Sequence, residues 1–208
     1  MKKSLHITLA ALAVLLFVAT PRARAQIIPN AYFNVDWQMG MPIGNDFADD
    51  FSGWGMQVEG GYFLTDQITI GGFLNYQTNF KKLPRQTLDL AGNQALTTSQ
   101  KHAIFQLPFG VSSRYIFLKD SLFEPYAGLK LGASWAQISS YYYVYKQYTD
   151  SWGFYLSPEV GVSIFPRPDM RFGFHVAMFY SYATNSSDLL SYSVDGLQNF
   201  GFRVGISF

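Results

Sequence analysis

From Ala31 to Phe208 the chain alternates apolar and polar residues at every second position, again and again. In the first run Ala31, Phe33, Val35, Trp37, Met39 and Met41 share one side of an extended strand, and Tyr32, Asn34, Asp36, Gln38 and Gly40 share the other. The next rows are Trp54 to Leu64, Ile68 to Tyr76, Ala103 to Phe117 and Phe123 to Trp135. Trp152 to Ile164, Met170 to Tyr182 and Phe200 to Phe208 complete the series, and no apolar row holds a charged residue. This period of two predicts eight strands.

The connections alternate in length. Thr65-Asp66-Gln67, Lys119-Asp120-Ser121-Leu122 and Pro166-Arg167-Pro168-Asp169 read as short turns. Between them the segments 42–53, 81–99, 139–150 and 184–196 read as long polar loops. An even number of antiparallel strands, with short turns at one end and long loops at the other, predicts an all-β, eight-stranded up-and-down transmembrane β-barrel. Pro108 and Pro158 fall inside strands, where each removes a ladder donor, so a bulge is expected at both.

A soluble barrel that buries its apolar rows is the rival architecture. Charge separates the two: only 14% of the residues are charged, against about 25% in an ordinary soluble domain. The polar rows carry few ionised members, namely Asp36, Glu59, Arg114, Glu124, Lys130, Glu159, Arg171 and Arg203, diluted by small residues. Such a face is too poor in charge for an aqueous exterior but suits a crowded lumen, with the apolar rows turned to lipid. Glycines such as Gly61, Gly110, Gly128 and Gly161 would leave room there for larger neighbours. The tryptophans agree, because Trp37, Trp54, Trp135 and Trp152 all fall toward the long-loop ends, as an interface girdle. Tyr62, Tyr115, Phe117, Phe123 and Phe208 fall toward the other end.

The first 25 residues have a different character. Lys2 and Lys3 precede an uncharged, mostly apolar run, and Ala23-Arg24-Ala25 supplies a small-x-small cleavage pattern, so residues 1–25 read as a cleaved signal peptide and 26–208 as the barrel domain. Taking Lys2, Lys3, Arg22 and Arg24 from the 15 basic residues leaves 11 against 14 acids, a net of −3. No basic stripe of the kind that binds nucleic acid appears. With 0 cysteines, disulfides and thiolate chemistry are excluded.

A signal segment, eight amphipathic strands and aromatic alternation up to Phe208 resemble small Gram-negative outer-membrane barrels of the OmpA, OmpX and OmpW type. The resemblance spans the mature chain as a pattern and not as a diagnostic motif. It implies an outer-membrane location and makes Phe208 the signal read by the barrel assembly machinery.

Eight strands enclose a lumen about wide enough for side chains to fill. Four inward acids (Asp36, Glu59, Glu124, Glu159) against four bases (Arg114, Lys130, Arg171, Arg203) therefore predict ion pairs that plug it. The expected role is structural, or surface interaction through the loops; the alternative is a narrow channel for small or apolar solutes, as the OmpW resemblance would allow. Lipid A modification comes third, since His102 and His175 come with no nucleophile motif. No catalytic, cofactor or metal site is expected. Loop chemistry is sparse: "NDFADD" (45–50) reads as a solvated acidic loop, and "YYYVYKQY" (141–148) as an exposed aromatic run. Lys81, Lys82 and Arg85 read either as contacts for anionic lipopolysaccharide or as a rim of solvated charges that needs no ligand. Outer-membrane lipid, lipopolysaccharide and an extracellular partner at the loops are the expected contacts.

Overall fold

A computed structural model describes residues 30–44, 46–90, 94–142, 145–166, 172–189 and 192–208. The expected signal segment, residues 1–25, and Arg171 lie outside the described residues. Eight strands follow one another: β1 (Ala31–Pro42), β2 (Ser52–Phe63), β3 (Ile68–Leu90), β4 (Gln94–Ile116), β5 (Phe123–Tyr142), β6 (Tyr145–Ile164), β7 (Gly173–Leu189) and β8 (Tyr192–Ser207). Each is hydrogen-bonded to its sequence neighbours, and β1 pairs antiparallel with β8, which closes the barrel. Closure leaves no free strand edge, the condition for crossing hydrocarbon with sheet alone.

The alternation read from the sequence sets the faces. Trp37, Trp54, Trp152, Leu74, Val111, Val160, Phe202 and Val204 are exposed on the outer wall, while Asp36, Gln57, Glu59, Lys130 and Arg203 are buried inside. Phe208 follows the last residue of β8 and still joins the ladder. Its backbone N–H donates to the Phe33 carbonyl at 2.8 Å and its carbonyl accepts from the Phe33 N–H at 3.0 Å.

The strands outrun the expected boundaries. Segments 81–99, 139–150 and 184–196 are mostly paired strand rather than loop: β3 and β4 stay paired to Leu90↔Gln94, β5 and β6 to Tyr142↔Tyr145, and β7 and β8 to Leu189↔Tyr192. In these segments buried inward positions such as Ser140, Asn185 and Ser187 are as polar as the outward ones, so the apolar–polar alternation is lost while the backbone pairing continues. Among the described residues the connection from β1 to β2 is the one long loop of the expected kind.

The bulges also lie elsewhere than expected. Pro108↔Ser134 and Leu129↔Pro158 keep register, whereas the shifts occur at Leu83/Gln86, around Pro84, and at Ala183/Ser186. Next to Pro158 the Ser157 hydroxyl donates to the Tyr180 carbonyl at 2.8 Å, supplying a donor on the side where proline has none.

Candidate functional site

The lumen is the place where chemistry-bearing side chains converge. Near its middle Glu59 from β2 and Glu159 from β6 face Arg114 from β4, Lys130 from β5 and Arg203 from β8. Arg114 Nε lies 2.6 Å from Glu59 Oε1, and Lys130 Nζ lies 2.8 Å from Glu59 Oε2. Lys130 also bridges to Glu159, which is paired with Arg203, while an Arg114 Nη2 to Glu159 contact spans 3.7 Å. No member of this set is more than 5% exposed. Buried charges are tolerable only when paired and hydrogen-bonded, and here each carboxylate meets at least two cations.

Aromatic rings extend the set. Tyr32 donates to Glu59 Oε1 at 2.8 Å, and the Arg114 guanidinium lies 5.0 Å from the Tyr32 ring and 4.4 Å from the Tyr126 ring. Arg203 stacks 3.9 Å from the Phe179 ring centre. Asp36, expected to meet a basic partner, pairs with His175 instead, Nδ1 to Oδ1 at 2.6 Å, and His175 Nε2 lies 2.7 Å from the Tyr126 hydroxyl. Two glycines make this crowding possible. A methyl at Gly161 would fall 2.7 Å from the Tyr126 ring, and one at Gly61 would fall 2.8 Å from the Tyr32 ring.

Glu124 stands apart from the network. At the short-turn rim of β5 it accepts from the Asp120 backbone N–H at 2.9 Å, and it borders a cavity of about 40 Å³ with Tyr32, Phe63, Arg114 and Tyr126. Its position one residue into β5 brings it to the turn before it can reach the central cations. Arg171, the fourth expected base, is outside the described residues.

Sequence reading overlooked a second component, a chain of neutral amides. Arg203 Nε donates to Gln38, Gln38 to Gln77, Gln77 to Asn79, Asn79 to Asn199, Asn199 to Gln106, and Gln106 to Ser134. Each of these amides is at most 5% exposed. The inward phase of Gln38, Gln77, Gln106 and Asn199 is visible in the alternation, but their mutual contact appears only when β1, β3, β4 and β8 are curled into a ring.

The long-hairpin end of the lumen holds apolar packing that the acidic segment 45–50 conceals. Asp46, Asp49 and Asp50 are exposed as expected, yet Phe47 and Ala48 between them are buried in a cluster with Ile104, Ile138, Tyr155, Val194 and Leu197. Phe47 stacks on His102 with centroids 4.1 Å apart, and its carbonyl lies 3.0 Å from His102 Nδ1. Lys81 secures the loop: its ammonium donates to Asp49 at 2.7 Å and to the Asp46 carbonyl at 2.6 Å, which holds the Asp49 carboxyl below the usual carboxylate range. Phe47→Ala is expected to uncap the mouth. His102, 0% exposed in the parent, should become reactive to diethyl pyrocarbonate, with a stability loss of about 3 kcal/mol for the removed ring; an unreactive His102 in that variant would contradict the capping role.

On the outer wall Trp37, Trp54 and Trp152 are exposed, and Trp135 is half-buried against Phe105, with ring centroids 5.9 Å apart. Trp37 Nε1 donates to the Gly53 carbonyl at 2.6 Å. Trp135 and Trp152 are cross-strand partners. Among the described residues no group of three or more His, Cys, Asp or Glu is arranged to hold a metal ion.

A comparison with curated proteins gives no match. Among solved structures, Neisserial surface protein A has 17% identity and a TM-score of 0.48, over 85% of this chain and 95% of its own. Ail of Yersinia pestis, solved with the heparin analogue sucrose octasulfate, has 10% identity and a TM-score of 0.45, covering 86% of this chain and 98% of that one. OprG from Pseudomonas aeruginosa has 15% identity and a TM-score of 0.48, covering 86% and 94%. Residues 10–208 match the family model described as outer membrane protein beta-barrel domain, and with all eight strands inside that match the chain belongs to this outer-membrane family.

Proposed function

We propose that the protein is a closed, non-conducting barrel of the outer membrane, a structural scaffold that holds its outer hairpins as an interaction surface. The observation that carries this reading is the side-chain bridge across the lumen. Glu59, Lys130 and Glu159 join β2, β5 and β6 across the interior, and Arg114 and Arg203 tie β4 and β8 to the same carboxylates. An ion crossing the barrel would have to part at least one of these buried pairs, whose separation leaves charge uncompensated in a low-dielectric interior. The apolar cap at Phe47 sits above the bridge as a second obstruction.

The two histidines are taken up by this filling. His102 lies beneath Phe47, and His175 links Asp36 to Tyr126; no catalytic role is assigned to either. Function then rests with the extended hairpins, where Tyr141 and Tyr148 are exposed and Lys146 lies 5.4 and 5.1 Å from their rings. Rigid aromatic side chains around a cation are favourable contact material at protein interfaces. Recording from the refolded protein in planar bilayers should give no steady conductance. Stable, reproducible single-channel steps would replace this reading with the solute channel. We further assign Phe208, bonded both ways to Phe33, as the residue read by the barrel assembly machinery.

A further inference from the structure

The outer wall between β3 and β6 carries a ladder of rows whose chemistry changes with height. Leu107, Trp135 and Trp152 are successive cross-strand partners and form the tryptophan row. Six residues farther out along β4, Lys82, Lys101, Tyr141 and Lys146 are successive partners across β3, β4, β5 and β6. All four are directed outward, and Lys82, Lys101, Tyr141 and Lys146 are exposed.

Like charges placed directly opposite each other destabilise a sheet, yet Lys82 and Lys101 are such a pair. Among the described residues no carboxylate pairs with Lys82, Lys101 or Lys146, in contrast to Lys81, which is bound to Asp49. Rings position two of the ammonium groups without neutralising them: Lys101 Nζ lies 4.5 Å from the Phe80 ring, and Lys146 is shared by Tyr141 and Tyr148. Asp50 lies beside β3, its backbone N–H donating to the Phe80 carbonyl at 3.1 Å, and forms no ion pair with Lys82 among the described residues; Asp150 on β6 is set below the row and accepts from Gln137 at 3.0 Å. Three cations without an ion pair among the described residues thus span three interstrand steps, about 14 Å.

Height identifies what would neutralise them. Six residues of a strand tilted by about 40° rise about 15 Å above the tryptophan row, whereas polar headgroups of an ordinary bilayer extend only about 5–8 Å beyond the hydrocarbon. A glycerophospholipid phosphate lies too low, and a phosphate carried on a sugar headgroup reaches the row. We propose that Lys82, Lys101 and Lys146 form a binding site for the phosphorylated saccharide of the outer-leaflet glycolipid, lipopolysaccharide. The site lies on the outer wall and is independent of whether the lumen conducts.

The test uses the folded barrel in detergent micelles, titrated with lipopolysaccharide bearing phosphorylated core sugars, with the same material after dephosphorylation, and with phosphatidylglycerol. Binding is read by native mass spectrometry, and folding by heat-dependent gel mobility. Each of Lys82→Ser, Lys101→Ser and Lys146→Ser should weaken binding about fivefold, and the triple variant on the order of 100-fold. Lys119→Ser at the opposite rim should leave binding unchanged. Equal binding of the dephosphorylated material, equal binding of phosphatidylglycerol, or single variants within twofold of the parent would each overturn the proposal.

Discussion

Replacing Glu159 with alanine is expected to destabilise the folded barrel by about 3–5 kcal/mol, the cost of leaving buried charge uncompensated. Glu159 is paired with Lys130 and Arg203, lies 3.7 Å from Arg114, and receives the Tyr126 hydroxyl at 3.1 Å. Without it Arg114 and Lys130 keep only Glu59, and Arg203 loses its carboxylate partner. Glu159→Gln keeps the volume and an acceptor oxygen but loses the charge, so its loss should be smaller than that of alanine. Urea unfolding in lipid vesicles, followed by tryptophan emission, measures both. A midpoint for Glu159→Ala equal to that of the parent would show that the bridge contributes little, and the closed-lumen reading would lose its support.

The second large effect concerns two glycines on neighbouring strands. Gly110 faces Gly132 across β4 and β5, and a methyl on Gly110 would lie 2.6 Å from the Gly132 Cα and closer still to the Leu131 carbonyl oxygen. Those obstacles are backbone, so no side-chain rotation relieves them and the strands must separate. Gly110→Ala should therefore cost at least about 3 kcal/mol, the upper end for overpacking, and should sharply lower the yield of refolded protein. Gly72 is its internal control. The nearest atom to an added methyl there is the Gly110 carbonyl oxygen at 3.5 Å, an ordinary contact. Gly72→Ala should stay within about 0.5 kcal/mol of the parent. Equal behaviour of the two variants would show that the close approach of β4 and β5 is not maintained in solution.

These effects arise at positions of unequal visibility in the sequence. The strands within the membrane are legible because lipid on one side and a filled lumen on the other force strict alternation, as in Val35-Asp36-Trp37. Glu59, Lys130 and Arg203 are legible for the same reason, since an ionised residue in the polar phase of such a strand must point inward. The outer hairpins are less legible because their buried inward positions are themselves polar, as at Ser140, Asn185 and Ser187, which removes the apolar–polar alternation. Phe47 was hidden by the aspartates around it, whose carboxylates remain outside while the ring turns in. Linear spacing also carries no trace of the amide chain: Asn79 and Asn199 lie 120 positions apart and touch only through closure of the ring.

The seam between the first and last strands has a kinetic consequence. Gln38 and Asp36 stand on β1 and Arg203 on β8, and the bond from Arg203 to Gln38 crosses the place where the sheet must zip shut. While the seam is open, Arg203 has not met Gln38, and both unzipped edges carry unpaired amides. Zipping this seam therefore joins backbone and interior together, and an intermediate arrested before it would hold Arg203, still paired with Glu159, without its Gln38 acceptor at an open slit. Such a species would be short-lived in acyl chains and most easily captured where water still reaches the slit.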